Sequence, residues 1–311
     1  MNLNKLTLAS LVALSWCLST ALAQTPPITG KIAFVKNGDL FMRTYVTGVQ
    51  QGSEQRLTFT GAVLNPRLSR DGTKLAFSFG GKNPGPGVYV MDAAPESSTN
   101  PRKRLSTFAS YWPAWSFDGQ WIAFNGADPK TSGIFTVKAD GMTNPTRRTA
   151  HGWYPAWSPD PLASTSQILF ASDRNCGHGN SDLWIMSAFG ALDANAGRLF
   201  ASSPCSPGSE MDLDWQPFEM LYSYDASDGN GQDVYVYDGT TITHLNTGPG
   251  GDVEARWASC NGTLIVFRKT LPPSAGFTRV IYVRDLLTGT QSQLITGDVY
   301  QPTWGPLTPC A

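Results

Sequence analysis

The chain has 311 residues, a formal net charge of −1 and only 15% charged residues. That length is ample for a large core, and near-neutral charge removes the electrostatic basis for nucleic-acid binding. Gly (31), Pro (22) and Trp (10) are plentiful, a mix that suits an all-β fold rich in tight turns.

The first element is a targeting segment. Met1 to Lys5 is short and basic, Leu6 to Leu22 is mostly apolar, and Ala21-Leu22-Ala23 fits an A-x-A cleavage site. The sequence therefore predicts a signal peptide over 1–23 and a mature domain over 24–311, periplasmic or secreted. Cys17 lies inside this segment, but Trp16 stands where a lipoprotein signal needs a small residue, which argues against a lipid anchor. No other apolar stretch is long enough to span a bilayer.

The mature chain repeats one short pattern six times. Its clearest copies are Tyr111-Trp-Pro-Ala-Trp-Ser-Phe-Asp-Gly119 and Trp153-Tyr-Pro-Ala-Trp-Ser-Pro-Asp160. Aligned two residues after the Pro, the anchors are Leu68, Trp115, Trp157, Trp215, Trp257 and Trp304, spaced by 47, 42, 58, 42 and 47 residues. A four-stranded propeller blade has about that length, ~40–50 residues. Each anchor ends a predicted first strand. Asp-Gly turns follow at Ser69-Arg-Asp-Gly72 and Ser116-Phe-Asp-Gly119, supplying the positive φ a tight hairpin needs.

Second strands are predicted at Ile32–Phe34, Leu75–Phe77, Ile122–Phe124, Ile168–Phe170, Met220–Tyr222 and Ile265–Phe267. They are short, apolar and bounded by turn residues, as buried strands are. Third strands are predicted at Leu40–Met42, Val88–Met91, Ile134–Val137, Leu183–Met186, Val234–Tyr237 and Ile281–Val283. A weaker fourth set covers Arg56–Thr58, Arg104–Ser106, Arg198–Phe200 and Gln293–Ile295. The chain enters on a second strand and leaves on a first strand, Tyr300–Trp304. The C-terminal strand should therefore complete the N-terminal blade, giving a closed six-bladed all-β propeller without free sheet edges.

The repeat resembles the WD40-like repeat of TolB-type propellers. The residues that carry the resemblance are Pro113-Ala-Trp-Ser-Phe-Asp-Gly-Gln-Trp-Ile-Ala-Phe124, Pro155-Ala-Trp-Ser-Pro-Asp160, and Ser172-Asp-Arg174 with Ser181-Asp-Leu-Trp-Ile-Met186. It covers nearly all of the mature chain but only the propeller part of TolB, with no counterpart of the α/β domain. The fifth and sixth copies depart from it, reading Trp215-Gln-Pro-Phe-Glu219 and Trp257-Ala-Ser-Cys-Asn-Gly262 in place of the Ser-Pro-Asp-Gly turn. The propeller is the part that binds Pal in that family, so the resemblance implies a protein partner.

The residues just before each Pro-x-Trp position are Asn65, Trp112, Tyr154, Asp212, Glu254 and Gln301. With the first strands innermost, these six ring one mouth of the central channel. Tyr111, Trp153 and Tyr300 flank them. Arg67, Ala114, Ala156, Asp214, Arg256 and Thr303 follow one step deeper. The repeated Trp residues belong to the core. The mouth residues differ in every blade, and exposed aromatics beside charges suit partner and sugar sites. The expected function is an exported, monomeric, non-enzymatic binding module that holds a protein segment or glycan there. The alternative is a polysaccharide-active hydrolase or lyase using Asp212, Asp214 and Glu254 as acid and base.

Other chemistry is thin. His151, His178 and His244 fall in three blades without metal-ligand spacing, and the Asp225–Asp233 segment reads as a hairpin turn rather than a calcium loop. No cofactor is expected. Cys176, Cys205, Cys260 and Cys310 allow three disulfide pairings, of which 176–205 and 260–310 are local in the predicted blades.

Overall fold

A computed structural model describes residues 26–127, 132–161, 165–174, 180–200, 208–217, 219–225, 232–245, 251–271 and 278–310. The expected signal segment 1–23, Cys176, His178, Cys205 and residues 226–231 of the Asp225–Asp233 segment lie outside the described residues.

The chain forms six antiparallel four-stranded sheets arranged as the blades of a ring. Strands β1 (Gly30–Lys36), β2 (Asp39–Val46) and β3 (Val49–Arg56) begin the first blade. The second blade is β4 (Val63–Leu68), β5 (Lys74–Phe79), β6 (Gly87–Asp92) and β7 (Lys103–Arg104). The third is β8 (Ser110–Trp115), β9 (Trp121–Gly126), β10 (Gly133–Lys138) and β11 (Thr146–Arg147). The fourth is β12 (Trp153–Trp157), β13 (Gln167–Ser172), β14 (Asp182–Ser187) and β15 (Gly197–Arg198). The fifth is β16 (Ser209–Gln216), β17 (Glu219–Asp225), β18 (Gln232–Tyr237) and β19 (Ile242–Leu245). The sixth is β20 (Asp252–Trp257), β21 (Leu264–Thr270), β22 (Arg279–Asp285) and β23 (Gln291–Ile295).

Ring closure follows the sequence expectation. β24 (Val299–Gly305) pairs antiparallel with β1 and becomes the innermost strand of the first blade. The Cys260–Cys310 disulfide then ties the tail beyond this closing strand to the first hairpin of the sixth blade, with Cα atoms 5.5 Å apart. Crosslinks over loops of this length contribute about 2–4 kcal/mol by restricting the unfolded chain. The fourth strands differ most from expectation. Three of them are only two residues long, and β11 and β19 have no counterpart in the repeat read from sequence.

The apolar residues form six clusters, one at each interface between neighbouring blades. Both faces of each sheet are therefore buried, which is why the second strands read as unbroken apolar runs rather than alternating ones. Each of those strands contributes one large aromatic: Phe34, Phe77, Phe124, Phe170 and Phe267 are fully buried and Tyr222 nearly so. Burying a side chain of that size contributes about 1.5–3 kcal/mol. Among the repeated anchors, Trp157 and Trp257 are buried while Trp115, Trp215 and Trp304 are half-buried.

The turn after the first strand is held by its own side chains. Ser69 Oγ donates to Asp71 Oδ1 at 2.6 Å, and the same oxygen takes the Thr73 N–H at 3.0 Å. The sixth blade makes an equivalent turn with different residues. There Ser259 Oγ accepts the Thr263 N–H at 2.9 Å and Asn261 takes the place of Asp. The Ser-Cys-Asn-Gly run thus keeps the geometry while departing from the sequence pattern.

Candidate functional site

Each innermost strand carries a β-bulge at the same place. In β4 the pairing with β5 passes from Leu64↔Ser78 to Arg67↔Ala76, so Asn65 and Pro66 together oppose Phe77. The register shifts likewise opposite Phe124, Phe170, Tyr222, Phe267 and Phe34. The first residue of every bulge is left-handed: Asn65, Trp112, Tyr154, Asp212, Glu254 and Gln301 have φ between 50° and 59°. Left-handed backbone is uncommon for such side chains, and a bulge re-aims the residue it carries. Blades five and six do this without the Pro, having Leu213 and Ala255 there instead, so the bulge rather than the Pro imposes the conformation.

The six re-aimed side chains line one cavity of about 370 Å³ at the channel mouth, together with Tyr111, Gln232 and Arg268. Its two halves differ. On one arc the Trp112 and Tyr154 rings lie 4.2 Å apart between centroids at 45°, with Tyr111 against Trp112 at 5.8 Å. On the other arc the polar residues form a chain between blades. Asp212 Oδ2 accepts the Glu254 N–H at 3.2 Å, Glu254 Oε2 accepts the Gln301 N–H at 2.6 Å, and Gln301 Oε1 accepts the Asn65 N–H at 2.7 Å. Each side chain therefore satisfies the bulged backbone of the next blade. Position-specific variety at the mouth thus coexists with a repeated structural task.

One step deeper the channel is closed. Arg67, from the second blade, reaches across to the opposite fifth blade, where its Nη2 donates to the Leu213 carbonyl at 2.8 Å and its Nη1 lies 3.5 Å from Asp214. Arg256 donates to the Asp212 carbonyl at 2.8 Å and lies 3.9 Å from its carboxylate. Asp214 Oδ2 also takes the Trp257 N–H at 3.0 Å, and Thr303 Oγ1 takes the Leu68 N–H at 3.1 Å. This ionic layer separates the mouth from a second cavity of about 150 Å³, which the Cys260–Cys310 bridge helps to line.

Electrostatics follow from burial. Burial and the neighbouring Arg256 charge push the Arg67 guanidinium down to about 9 against the opposing pull of Asp214 and Asp212. Burial raises the Glu254 carboxyl, with Asp212 adding to the rise, although Arg268 Nε donates to Glu254 Oε2 at 2.9 Å. Burial also raises the Tyr154 phenol, reinforced by the carboxylates of Asp212 and Glu254. The aromatic and acidic arcs are therefore within electrostatic reach of each other.

Of the residues singled out from sequence, Tyr111, Trp112, Tyr154, Asp212 and Glu254 line the mouth cavity. Arg67, Asp214 and Arg256 line the deeper one. Trp153 and Tyr300 line neither, and Tyr300 packs against the cluster between the first two blades. Sequence reasoning missed Arg268 and Gln232. Both lie on second or third strands, next to the recognised apolar runs, and only the blade pairing carries them to the mouth. Among the described residues, no group of three or more His, Cys, Asp or Glu could hold a metal ion, and no helix is long and apolar enough to cross a membrane.

No protein-family model and no curated protein matches the sequence. Solved structures do match in fold. TolB from Acinetobacter baumannii is 16% identical with a TM-score of 0.67, over 90% of this chain and 67% of that one. A protein assigned as TolB from Agrobacterium tumefaciens is 14% identical with a TM-score of 0.59, over 90% of this chain and 93% of that one. A chain of the nidogen/laminin complex is 10% identical with a TM-score of 0.61, over 88% of this chain and 97% of that one. At such identities the likeness is one of architecture: the chain has the six-bladed fold of the TolB propeller.

Proposed function

We propose that this protein is an exported, monomeric, non-enzymatic binding module that holds a protein segment or a glycan at the mouth of its channel. The observation that carries the reading is the division of one concave cavity into an aromatic arc, Trp112 with Tyr154, and a polar arc running from Asp212 through Glu254 and Gln301 to Asn65. Trp112 and Tyr154 offer flat apolar surface, and Asp212 and Glu254 accept hydrogen bonds from the ligand. Tyr111 extends the aromatic side, while Trp153 and Tyr300, the neighbours of Tyr154 and Gln301 in sequence, would contribute only at the periphery of the mouth. Arg67, Asp214 and Arg256 form the floor rather than the grip, since they are bonded to one another's blades. Sites on one face of a rigid scaffold commonly carry function.

The protein-binding side of this proposal draws on the structural neighbours, one of which is part of a protein–protein complex by name. Export draws on the A-x-A segment and on the disulfide, a bond that persists in oxidising compartments. The competing reading, catalysis on polysaccharide by Asp212, Asp214 and Glu254, is weakened by their commitments, because each already accepts a backbone N–H from the next blade. The test is affinity capture from envelope and culture fractions with the protein beginning at Gln24, beside a Trp112→Ala/Tyr154→Ala variant. A partner retained by the parent and lost by the folded variant is the expected result. Equal capture by both would place binding elsewhere and overturn the proposal.

A further inference from the structure

Resting on the binding role proposed above, we infer that the ligand at the mouth is a neutral saccharide, a short unbranched chain or chain end rather than a charged peptide. The charges of the site are already paired. Glu254 is held by Arg268 at 2.9 Å, Asp214 lies 3.5 Å from Arg67, and Asp212 lies 3.9 Å from Arg256. Three carboxylates meet three guanidinium groups, so the mouth and its floor are balanced before any ligand arrives. A charged ligand would need an unpaired counter-charge, and burying one without a partner is strongly unfavourable.

The remaining hydrogen-bonding capacity lies in side chains. The backbone N–H groups of Glu254, Gln301 and Asn65 are already used between blades, so along the polar arc these three are closed to a peptide backbone. What remains is carried by side chains. Among the described residues, the Asn65 amide makes no hydrogen bond, Gln301 uses its carbonyl but not its NH2, and Glu254 uses one carboxylate oxygen of two. Donors and acceptors therefore alternate along one arc. A sugar hydroxyl donates one bond and accepts others, so a row of hydroxyls matches such an alternation.

The shape of the cavity also suits a sugar ring. The rings of Trp112 and Tyr154, with centroids 4.2 Å apart, stand in the same cavity as that arc. A pyranose ring has an apolar C–H face and a polar rim, and it would present the first to the rings and the second to Asn65, Gln301 and Glu254. The cavity, about 370 Å³, falls at the small end of ligand sites, which run ~300–1,000 Å³.

The test titrates the protein purified after export with maltotriose, cellotriose, the N-acetylglucosamine trimer and, as the charged comparison, trigalacturonate. Indole fluorescence and calorimetry serve as readouts. At least one neutral trimer should bind, with a dissociation constant that hardly changes between about 50 and 500 mM salt. Asn65→Gly, which accepts the φ of 52° while removing the amide, should weaken that binding about tenfold. Trp112→Ala should weaken it by a similar factor of about ten, with Trp112→Phe recovering part. The inference is overturned if no neutral trimer binds at about 10 mM, if trigalacturonate binds more tightly, or if both variants bind as the parent does. Capture of a protein partner that depends on Trp112 and Tyr154, with no saccharide binding, would leave the binding role standing and remove this inference alone.

Discussion

Glu254 accepts the backbone N–H of Gln301 across a blade boundary at 2.6 Å, and the same oxygen holds Nε of Arg268 at 2.9 Å. One side chain thus joins the sixth blade to the strand that closes the ring while facing the ligand cavity. Burial raises its carboxyl in the folded state. A raised carboxyl contributes stability below its ordinary range, near pH 4, and that contribution is lost as pH rises through the folded value. Glu254→Gln keeps an acceptor for Gln301 and cannot ionise. It should stay within about 1 kcal/mol of the parent at neutral pH, whereas Glu254→Ala orphans the N–H and should cost about 1–3 kcal/mol. Urea unfolding across pH 4 to 8 checks this, and an undiminished pH slope in Glu254→Gln would contradict it.

Asp39 should behave in the opposite sense. Burial alone would raise its carboxyl, but the N–H groups of Thr60 and Gly61, the Arg56 guanidinium and the Thr58 hydroxyl together hold it below the usual range. Its contribution is present above about pH 4 and disappears as acid protonates it at a lower pH. Asp39→Asn should lose about 1–3 kcal/mol at pH 7 and show less further loss on acidification. Thermal unfolding at pH 7 and at pH 3 distinguishes the two.

Arg67 should prove to be a strut. It crosses the channel between opposite blades, and its removal strands Asp214. Arg67→Ala should destabilise the fold by about 3 kcal/mol, the typical cost of breaking a buried ion pair from one side. The pairing of Arg67→Met with Asp214→Asn should recover part of that loss, since neither charge is then left alone. A double variant no more stable than Arg67→Ala would argue that the Leu213 contact, not the ion pair, matters.

Gly72 and Gly119 share nearly the same backbone, with φ of 67° and 68°, in equivalent turns. A Cβ at Gly72 would lie 2.3 Å from the Pro306 carbonyl oxygen, whereas one at Gly119 meets nothing within 4 Å. Gly119→Asn should therefore be tolerated to within about 1 kcal/mol, because Asn accepts left-handed backbone. Gly72→Asn should cost clearly more, about 2–3 kcal/mol, by displacing the segment that closes the ring. Equal melting temperatures for the two variants would refute the contact.

The fold was legible in the sequence because each blade states its own local chemistry. Asp-Gly turns fix hairpins, apolar triplets mark doubly buried strands, and the offset between an entering second strand and a leaving first strand declares the closure. The Cys260–Cys310 link was legible too, once both residues were placed at neighbouring first-strand ends. The fourth strands β11 and β19 were not, since short, mostly exposed strands at the rim leave little burial pattern to read.

Sequence by itself determined the number of blades, their order and the six bulge positions at the mouth, because those depend on spacing within about 50 residues of chain. Only the tertiary structure decided what the ring does with them. The bulge opposite each buried aromatic turns Trp112 towards Tyr154, links Glu254 to Gln301, and leaves the Asn65 amide open. The curvature of six packed sheets brings Arg67 to Leu213, 146 positions away. Contacts of that kind arise from blade packing and closure, which no local pattern encodes.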